Sequence, residues 1–314
     1  MNFFISKTFI FLLLKIIVAA GLLFGLLLYI DVDEIAESVA YADPMLLTAG
    51  TLLVIANTGI HFIRWRYLLR LLSNQITNSD VLTSLLVGFS AGFFTPAQVG
   101  EVAGRIASHP DIRKSHIIGI TIIDKMYILA ATIITGIPAL AIFTASHYSE
   151  YWNSLYTVMI ALAIISVAVI FLLPERIQPL FGLLPSRVRD HKLYAMIGII
   201  EEKFHNRQAR PVLALSLLLY GVIVVQFFIL LNAFESVSLT DTAIGSMSVY
   251  FIKAVVLPIS IGDLGVRESA SVFFFSKFGV SSAAAFNASM CMFLINVLLP
   301  SIAGAALILK VKMK

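Results

Sequence analysis

Long apolar runs alternate with short polar ones along this chain, and the apolar runs fall into two length classes. Six can cross a bilayer as helices, which takes ~20 residues: Phe9–Ile30, Met45–Ile63, Ile117–Phe143, Leu155–Leu173, Val212–Ala233 and Ala283–Leu309. Two more, Val81–Phe94 and Ala243–Leu257, hold roughly 14 residues and are too short to span comfortably. Each short run leads into the same polar pattern. Pro96-Ala-Gln-Val-Gly100-Glu101-Val-Ala-Gly-Arg105 reads P-x3-G-E-x3-R, and Pro258-Ile-Ser-Ile-Gly262-Asp263-Leu-Gly-Val-Arg267 reads P-x3-G-D-x3-R. Short apolar segments broken by Pro and Gly at matched places in two halves point to the binding site of a transporter.

The polar connections orient these runs. Lys7 precedes the first span; Arg64, Arg66 and Arg70 follow the second; Arg105, Arg113 and Lys114 precede the third. Basic residues from Arg176 to Arg210 fill the loop after the fourth, and Lys310, Lys312 and Lys314 end the sequence. The connections Asp31–Asp43, Thr144–Ser154 and Phe234–Asp241 contain no Lys or Arg. Basic loops stay on the cytoplasmic side, so both termini are expected there, in a plasma (inner) membrane protein. The chain is then cytoplasmic on both sides of the first motif and external on both sides of the second. Each motif must sit in a segment that enters and returns.

The expected fold is an all-α polytopic membrane protein with about six full spans plus two re-entrant helical hairpins, arranged as an inverted-topology repeat. Within one membrane domain, 1–314, it has a first helix at 1–30 and a span–hairpin–span unit at 45–143. A connecting span at 155–173, a cytoplasmic basic loop at 174–210 and a second unit at 212–309 follow.

Composition supports the membrane assignment. The 314 residues are 59% hydrophobic and 13% charged, about half the charged share of a soluble domain. Mean hydropathy is +0.95, and the pI near 9.1 reflects cytoplasmic loops rather than nucleic-acid binding. The single cysteine, Cys291, excludes an internal disulfide, and neither it nor the scattered histidines have metal-ligand spacing. The first run is too long for a signal-peptide core, and no soluble catalytic module is expected.

Charges within apolar segments carry the candidate chemistry. One charge at the bilayer centre costs ~2.5–3.5 kcal/mol on insertion scales. Glu101, Arg105, Asp263, Arg267 and Glu268 lie in or beside the hairpins; Lys253 lies within the second short run; Asp124 and Lys125 interrupt the third span. Glu101 with Arg105, and Asp263 with Arg267, are spaced i,i+4 with the acid first, the favoured order on a helix. Two uses are open. Each pair neutralises itself and fixes its hairpin, or the groups meet near the midplane and bind a charged headgroup, arginine gripping phosphate with its planar fork. Pro96, Gly100, Pro258, Gly262 and Gly265 supply the breaks and close turns for either. Trp65, Tyr67 and His61 read as interfacial, and Asn57, Gln226 and Asn296 as helix–helix hydrogen-bonding groups.

These motifs resemble the integral-membrane region of lysylphosphatidylglycerol synthases, a prokaryotic family of flippase-like proteins. Leu257-Pro-Ile-Ser-Ile-Gly-Asp-Leu-Gly-Val-Arg-Glu268 is similar to the family's L-P-I-S-x-G-G-L-G-x-R-E segment, with Asp263 at a common glycine position. Thr95-Pro-Ala-Gln-Val-Gly-Glu101 looks like its first segment, with Gly104 where the arginine usually stands and Arg105 one place later. Ile123-Asp124-Lys125 resembles a third segment, commonly E-R before an apolar run. The resemblance implies an inner-membrane protein that translocates or presents an amphipathic lipid. The full-length synthases add a soluble aminoacyl-transfer domain after this region, and some relatives carry a fused glycosyltransferase; neither activity is implied here.

Three functions follow as expectations. The first is a translocator of a lipid or lipid-linked precursor without enzymatic activity, Arg105 and Arg267 holding phosphate and Glu101 and Asp263 balancing charge or carrying a coupling proton. The second is a membrane-embedded headgroup transferase, and the third a non-catalytic partner of a separate lipid-modifying enzyme. The expected ligand is a membrane lipid, with no cofactor and no metal.

Overall fold

Asp43 starts the first long helix by accepting hydrogen bonds from the amides of Met45 and Leu46, at 2.7 and 3.2 Å, with Pro44 at the first helical position. The computed structural model describes residues 20–93, 98–148, 158–163, 206–256 and 264–311, with 17, 95 and 165 besides. All regular structure among them is helical. In chain order the helices are α1 (Ala20–Tyr29), α2 (Val32–Ala40), α3 (Pro44–Arg70), α4 (Asn78–Phe93), α5 (Val99–Ala107), α6 (Lys114–His147), α7 (Asn206–Phe234), α8 (Leu239–Val255), α9 (Val266–Ser276), α10 (Ser282–Phe293) and α11 (Leu299–Val311). Four helical stretches are long and apolar enough to cross a membrane: Pro44–Arg70, Lys114–His147, Arg207–Phe234 and Ser282–Ile308. The expected first span is described at Ile17 and from Ala20 onward. The connecting span at 155–173 is helical at 158–163 and 165 and otherwise lies outside the described residues, as does most of the basic loop.

Boundaries differ from the apolar pattern where polar groups find partners inside the protein. α3 continues seven residues beyond Ile63 because Arg64 and Trp65 are buried in the fold. α7 begins at Asn206, inside the stretch expected as loop up to Arg210. α10 and α11 join through a π-helical segment, Leu294–Leu298. Pro300 stands just after it; proline lacks an amide donor and crowds the carbonyl four residues back, so the wider turn relieves the ladder there.

The motifs end in two short helices, and each packs on the helix before it, α5 on α4 and α9 on α8. At 16 and 17 residues, α4 and α8 are about 24–26 Å long, less than the ~30 Å hydrocarbon core. Glycines set the first hairpin. A β-carbon at Gly100 would strike the Ala91 carbonyl, and one at Gly104 would come within 2.8 Å of the Val87 carbonyl oxygen. Gly88 and Gly92 receive the Arg105 and Glu101 stems on the α4 side. Two small-x3-small stripes thus cross at backbone contact. Arginine is excluded at position 104 for this reason. Thr95 ties the turn, donating to the Ala91 carbonyl at 3.0 Å and accepting from the Gly100 amide at 2.7 Å. Gly100→Val pushes side-chain atoms into a backbone oxygen that cannot swing away. We expect it to remove most of the monodisperse protein in fluorescence-detected size exclusion, overpacking being worth ~1–3 kcal/mol even where neighbours yield.

The hairpins pack across the two halves. α4 lies on α11, α8 lies on α6, and α3 lies on α7. A glycine marks each approach: Gly304 against the Leu86 backbone, Gly136 against Phe251, and Gly50 against Leu230. One apolar core gathers around Phe227, Leu230, Phe275 and Met292, and a second around Trp65, Leu68, Leu85 and Ile117.

Candidate functional site

Asp124, on the inner face of α6, is the hub of a buried ion network. Arg64 of α3 donates through Nε to Asp124 Oδ1 at 2.6 Å, and Arg105 of α5 donates through Nη1 and Nη2 to Oδ2 at 3.2 Å. Arg105 Nη2 also lies 2.5 Å from Glu101 Oε1, one helical turn back. Lys125 Nζ reaches Glu101 Oε2 at 2.5 Å and donates to Gln98 Oε1 at 3.0 Å. Arg64 and Arg105 are each 1% exposed, whereas the Lys125 side chain is 41% exposed. Ions taken from water so completely cost several kcal/mol each, and only close, multiple pairing offsets that. The guanidinium carbon of Arg105 sits 3.8 Å above the Trp65 ring, adding a cation–π contact, while the indole N–H donates to Ser84 Oγ at 2.8 Å. Gln98 holds a left-handed backbone conformation, φ 55°, the one non-glycine residue among those described to do so. Such strain, ~1–3 kcal/mol, collects where geometry serves a site.

The second motif builds a smaller cluster. Glu268 folds back over the start of α9, accepting from the Gly265 amide at 2.7 Å and from Arg267 Nη2 at 2.5 Å. Ser289 of α10 joins both, accepting from Arg267 Nε at 3.1 Å and donating to Glu268 Oε1 at 3.3 Å. Gly265 supplies the required φ of 87°.

Between the clusters lies a cavity of about 230 Å³. Glu101 and Gln98 line it from the first hairpin, Lys253 and Arg267 from the second, and Lys125 from α6. Asn57 and His61 of α3 and Tyr220 of α7 complete much of its wall. The family model for the lysylphosphatidylglycerol synthase TM region matches residues 12–304. The chain belongs to that family. It is therefore a membrane protein of a family tied to lipid modification. No curated protein and no solved structure matches it.

The expected site residues separate into wall and scaffold. Glu101, Lys125, Lys253 and Arg267 line the cavity. Arg105, Asp124 and Glu268 stand behind it, buried: Arg105 pairs with Glu101 of the wall, Glu268 with Arg267, and Asp124 with Arg105. Gly100 and Gly265 hold the hairpin backbones; Pro96, Pro258, Gly262 and Asp263 lie outside the described residues. Three further residues take part that the sequence reading placed elsewhere. Arg64 is a buried ion-pair partner rather than a loop charge, and Trp65, fully buried, carries Arg105 rather than anchoring at the interface. His61 lines the cavity and bonds Arg64 through Nδ1 at 3.3 Å. The signal for all three was a polar stripe at helical spacing, Asn57, His61, Arg64 and Trp65, on one face of an otherwise apolar run. Gln226 and Asn296 do join helices: Asn296 donates to Gln226 at 2.8 Å, and Gln226 to the Gly50 carbonyl at 2.9 Å.

Proposed function

We propose that this protein moves or presents an anionic amphipathic lipid, holding the headgroup in the cavity between the hairpins while the acyl chains remain in the bilayer. The observation that carries this reading is the cavity wall, where Lys125, Lys253 and Arg267 arrive from three helices around one space. A headgroup phosphate offers each of them a charge-assisted hydrogen bond. Arg105, engaged by Asp124, Glu101 and Trp65, positions the wall rather than touching phosphate.

The hairpins act as re-entrant units of an inverted repeat in the plasma membrane, with both termini cytoplasmic. The reciprocal packing of α4 on α11 and α8 on α6, together with the contact of α3 with α7, supports the repeat, as do the short lengths of α4 and α8. The distribution of basic residues supports the orientation. The protein works by binding and movement rather than bond chemistry. Asp124 and Glu101 are each held by two cations, which leaves neither poised as a general base. A separate lipid-modifying enzyme would supply or consume the lipid.

Proteoliposomes containing a headgroup-labelled anionic lipid test this. Wild-type protein should expose label from the inner leaflet to an impermeant quencher. The Lys125→Ala, Arg267→Ala double variant should slow that exposure by about tenfold or more, each lost contact to a charged group being worth ~1.5–3 kcal/mol. Folded wild-type protein that neither moves nor retains any anionic lipid would overturn the proposal.

A further inference from the structure

The turn of the first hairpin is held against its own backbone preference. Gln98 stands just before α5 with φ 55° and ψ 25°, a left-handed conformation that crowds the β-carbon of an L residue. A residue in that position ordinarily takes extended backbone and caps its helix with a side-chain oxygen. Gln98 does neither. Its amide donates to the Thr95 carbonyl at 3.3 Å, and a β-carbon added at Gly92 would lie 3.6 Å from its own. Its carboxamide oxygen is spent on another helix, accepting from Lys125 Nζ of α6 at 3.0 Å.

Lys125 thus holds the start of α5 at two points, Gln98 before it and Glu101 in its first turn. The same ammonium is the accessible member of the first cluster, and it lines the cavity beside both partners. A group that enters the cavity and takes Lys125 removes the bond that offsets the strain at Gln98. A hydrogen bond to a charged donor and a left-handed non-glycine residue are of comparable worth, so losing the first is enough to free the second. Arg105 stays bonded to Asp124, which keeps the far end of α5 on α6. Released motion is therefore confined to the turn and the first residues of α5.

Resting on the lipid-holding reading above, we infer that Lys125 and Gln98 form a release catch. The strained turn stays wound while the ammonium holds it, and an anionic headgroup that takes the ammonium sets the turn free. Gln98 is a positioning residue in this step: it acts through Lys125 and converts occupancy of the cavity into displacement of the first hairpin.

Hydrogen exchange of the peptide carrying Gln98 and Gly100 reads the turn directly, since their amides are bonded to the Thr95 carbonyl and hydroxyl. It is measured in nanodiscs of phosphatidylcholine alone and with phosphatidylglycerol added, lipid retention being followed in parallel by native mass spectrometry. Wild type should exchange there about tenfold faster when phosphatidylglycerol is present. Lys125→Ala should show the fast rate in phosphatidylcholine alone. Gln98→Met keeps the strain and loses the acceptor, and should do the same. Gln98→Gly takes a positive φ freely, so its turn should exchange slowly in both lipids. That variant should retain phosphatidylglycerol yet move it at least about fivefold more slowly in proteoliposomes. Opposite shifts from methionine and glycine at one position do not arise from lost packing, which acts in one direction. Retention of phosphatidylglycerol with no change in wild-type exchange overturns this inference and leaves the lipid reading standing. A slow turn in Lys125→Ala overturns it whether or not lipid binds. Folded wild type that retains no phosphatidylglycerol overturns the lipid reading and the release step with it.

Discussion

Asp124→Ala is expected to lower stability by about 3–5 kcal/mol, the usual cost of stripping one partner from a buried ion pair. Two guanidinium groups lose their shared carboxylate at once. Arg105 keeps Glu101 and the Trp65 face. Among the described residues, Arg64 keeps only Ser216 Oγ at 3.4 Å and His61 Nδ1, neither of which carries charge to offset it. The penalty therefore falls mainly on Arg64, and a second substitution tests that. Arg64→Met combined with Asp124→Leu should recover a large part of the loss, since replacing a buried pair by apolar groups of similar size is often neutral. The coupling between the two sites should exceed ~1 kcal/mol, as expected for residues in direct contact. Thermal melting of detergent-solubilised protein gives the readout, with a fall of about 10 °C for Asp124→Ala. A single variant melting within 1 °C of wild type, or a double variant no better than the single, would show that the network is not what ties α3, α5 and α6 together.

The network also marks the boundary of what a sequence reading can reach. Glu101 and Arg105 pair through local helical spacing, and the spacing is visible. The hairpin breaks are visible too, because Pro and Gly punctuate both short runs. Arg64 and Asp124 are 60 positions apart, so their pairing depends on how α3 docks on α6. A basic residue at the end of an apolar run looks the same whether it fixes topology or meets a buried acid. Counting Arg64 with Arg66 and Arg70 as loop charges gave the wrong role for Arg64.

The second motif shows a subtler case. Neighbouring residues on a helix do not face each other, so Arg267 and Glu268 gave no pairing signal. They meet because Glu268 turns back to cap Gly265 in the first turn, where side chains lie beyond the helical ladder. The π segment was legible only in hindsight, through Pro300; its effect on Asn296 is tertiary. Gly104 had looked like a missing arginine. It is the point where α5 touches the α4 backbone, and the guanidinium had to move one residue along.

Glu101→Gln should separate lipid binding from lipid movement. Glu101 Oε2 holds Lys125 Nζ at 2.5 Å, and Lys125 is the accessible member of the first cluster. An incoming phosphate must compete with that carboxylate for the ammonium. Glutamine preserves the volume and keeps an acceptor near Gln98 and Lys125, but removes the charge. Arg105 keeps its contacts with Asp124 and the Trp65 ring, so the scaffold should survive. The cavity wall then gains one net positive charge. One additional contact between charged groups is worth ~1.5–3 kcal/mol, so retention of an anionic lipid should rise by about ten- to a hundredfold. The same contact must break for the lipid to leave. If movement requires the headgroup to pass from one hairpin to the other, tighter holding of the bound state without equal help to the moving state raises the barrier. Turnover in the proteoliposome assay should fall while binding strengthens. Lys125→Ala should lower both. Opposite signs for the two measurements cannot come from general damage, which lowers both together. A Glu101→Gln variant that binds lipid no more tightly than wild type would mean that Glu101 does not compete with the ligand for Lys125.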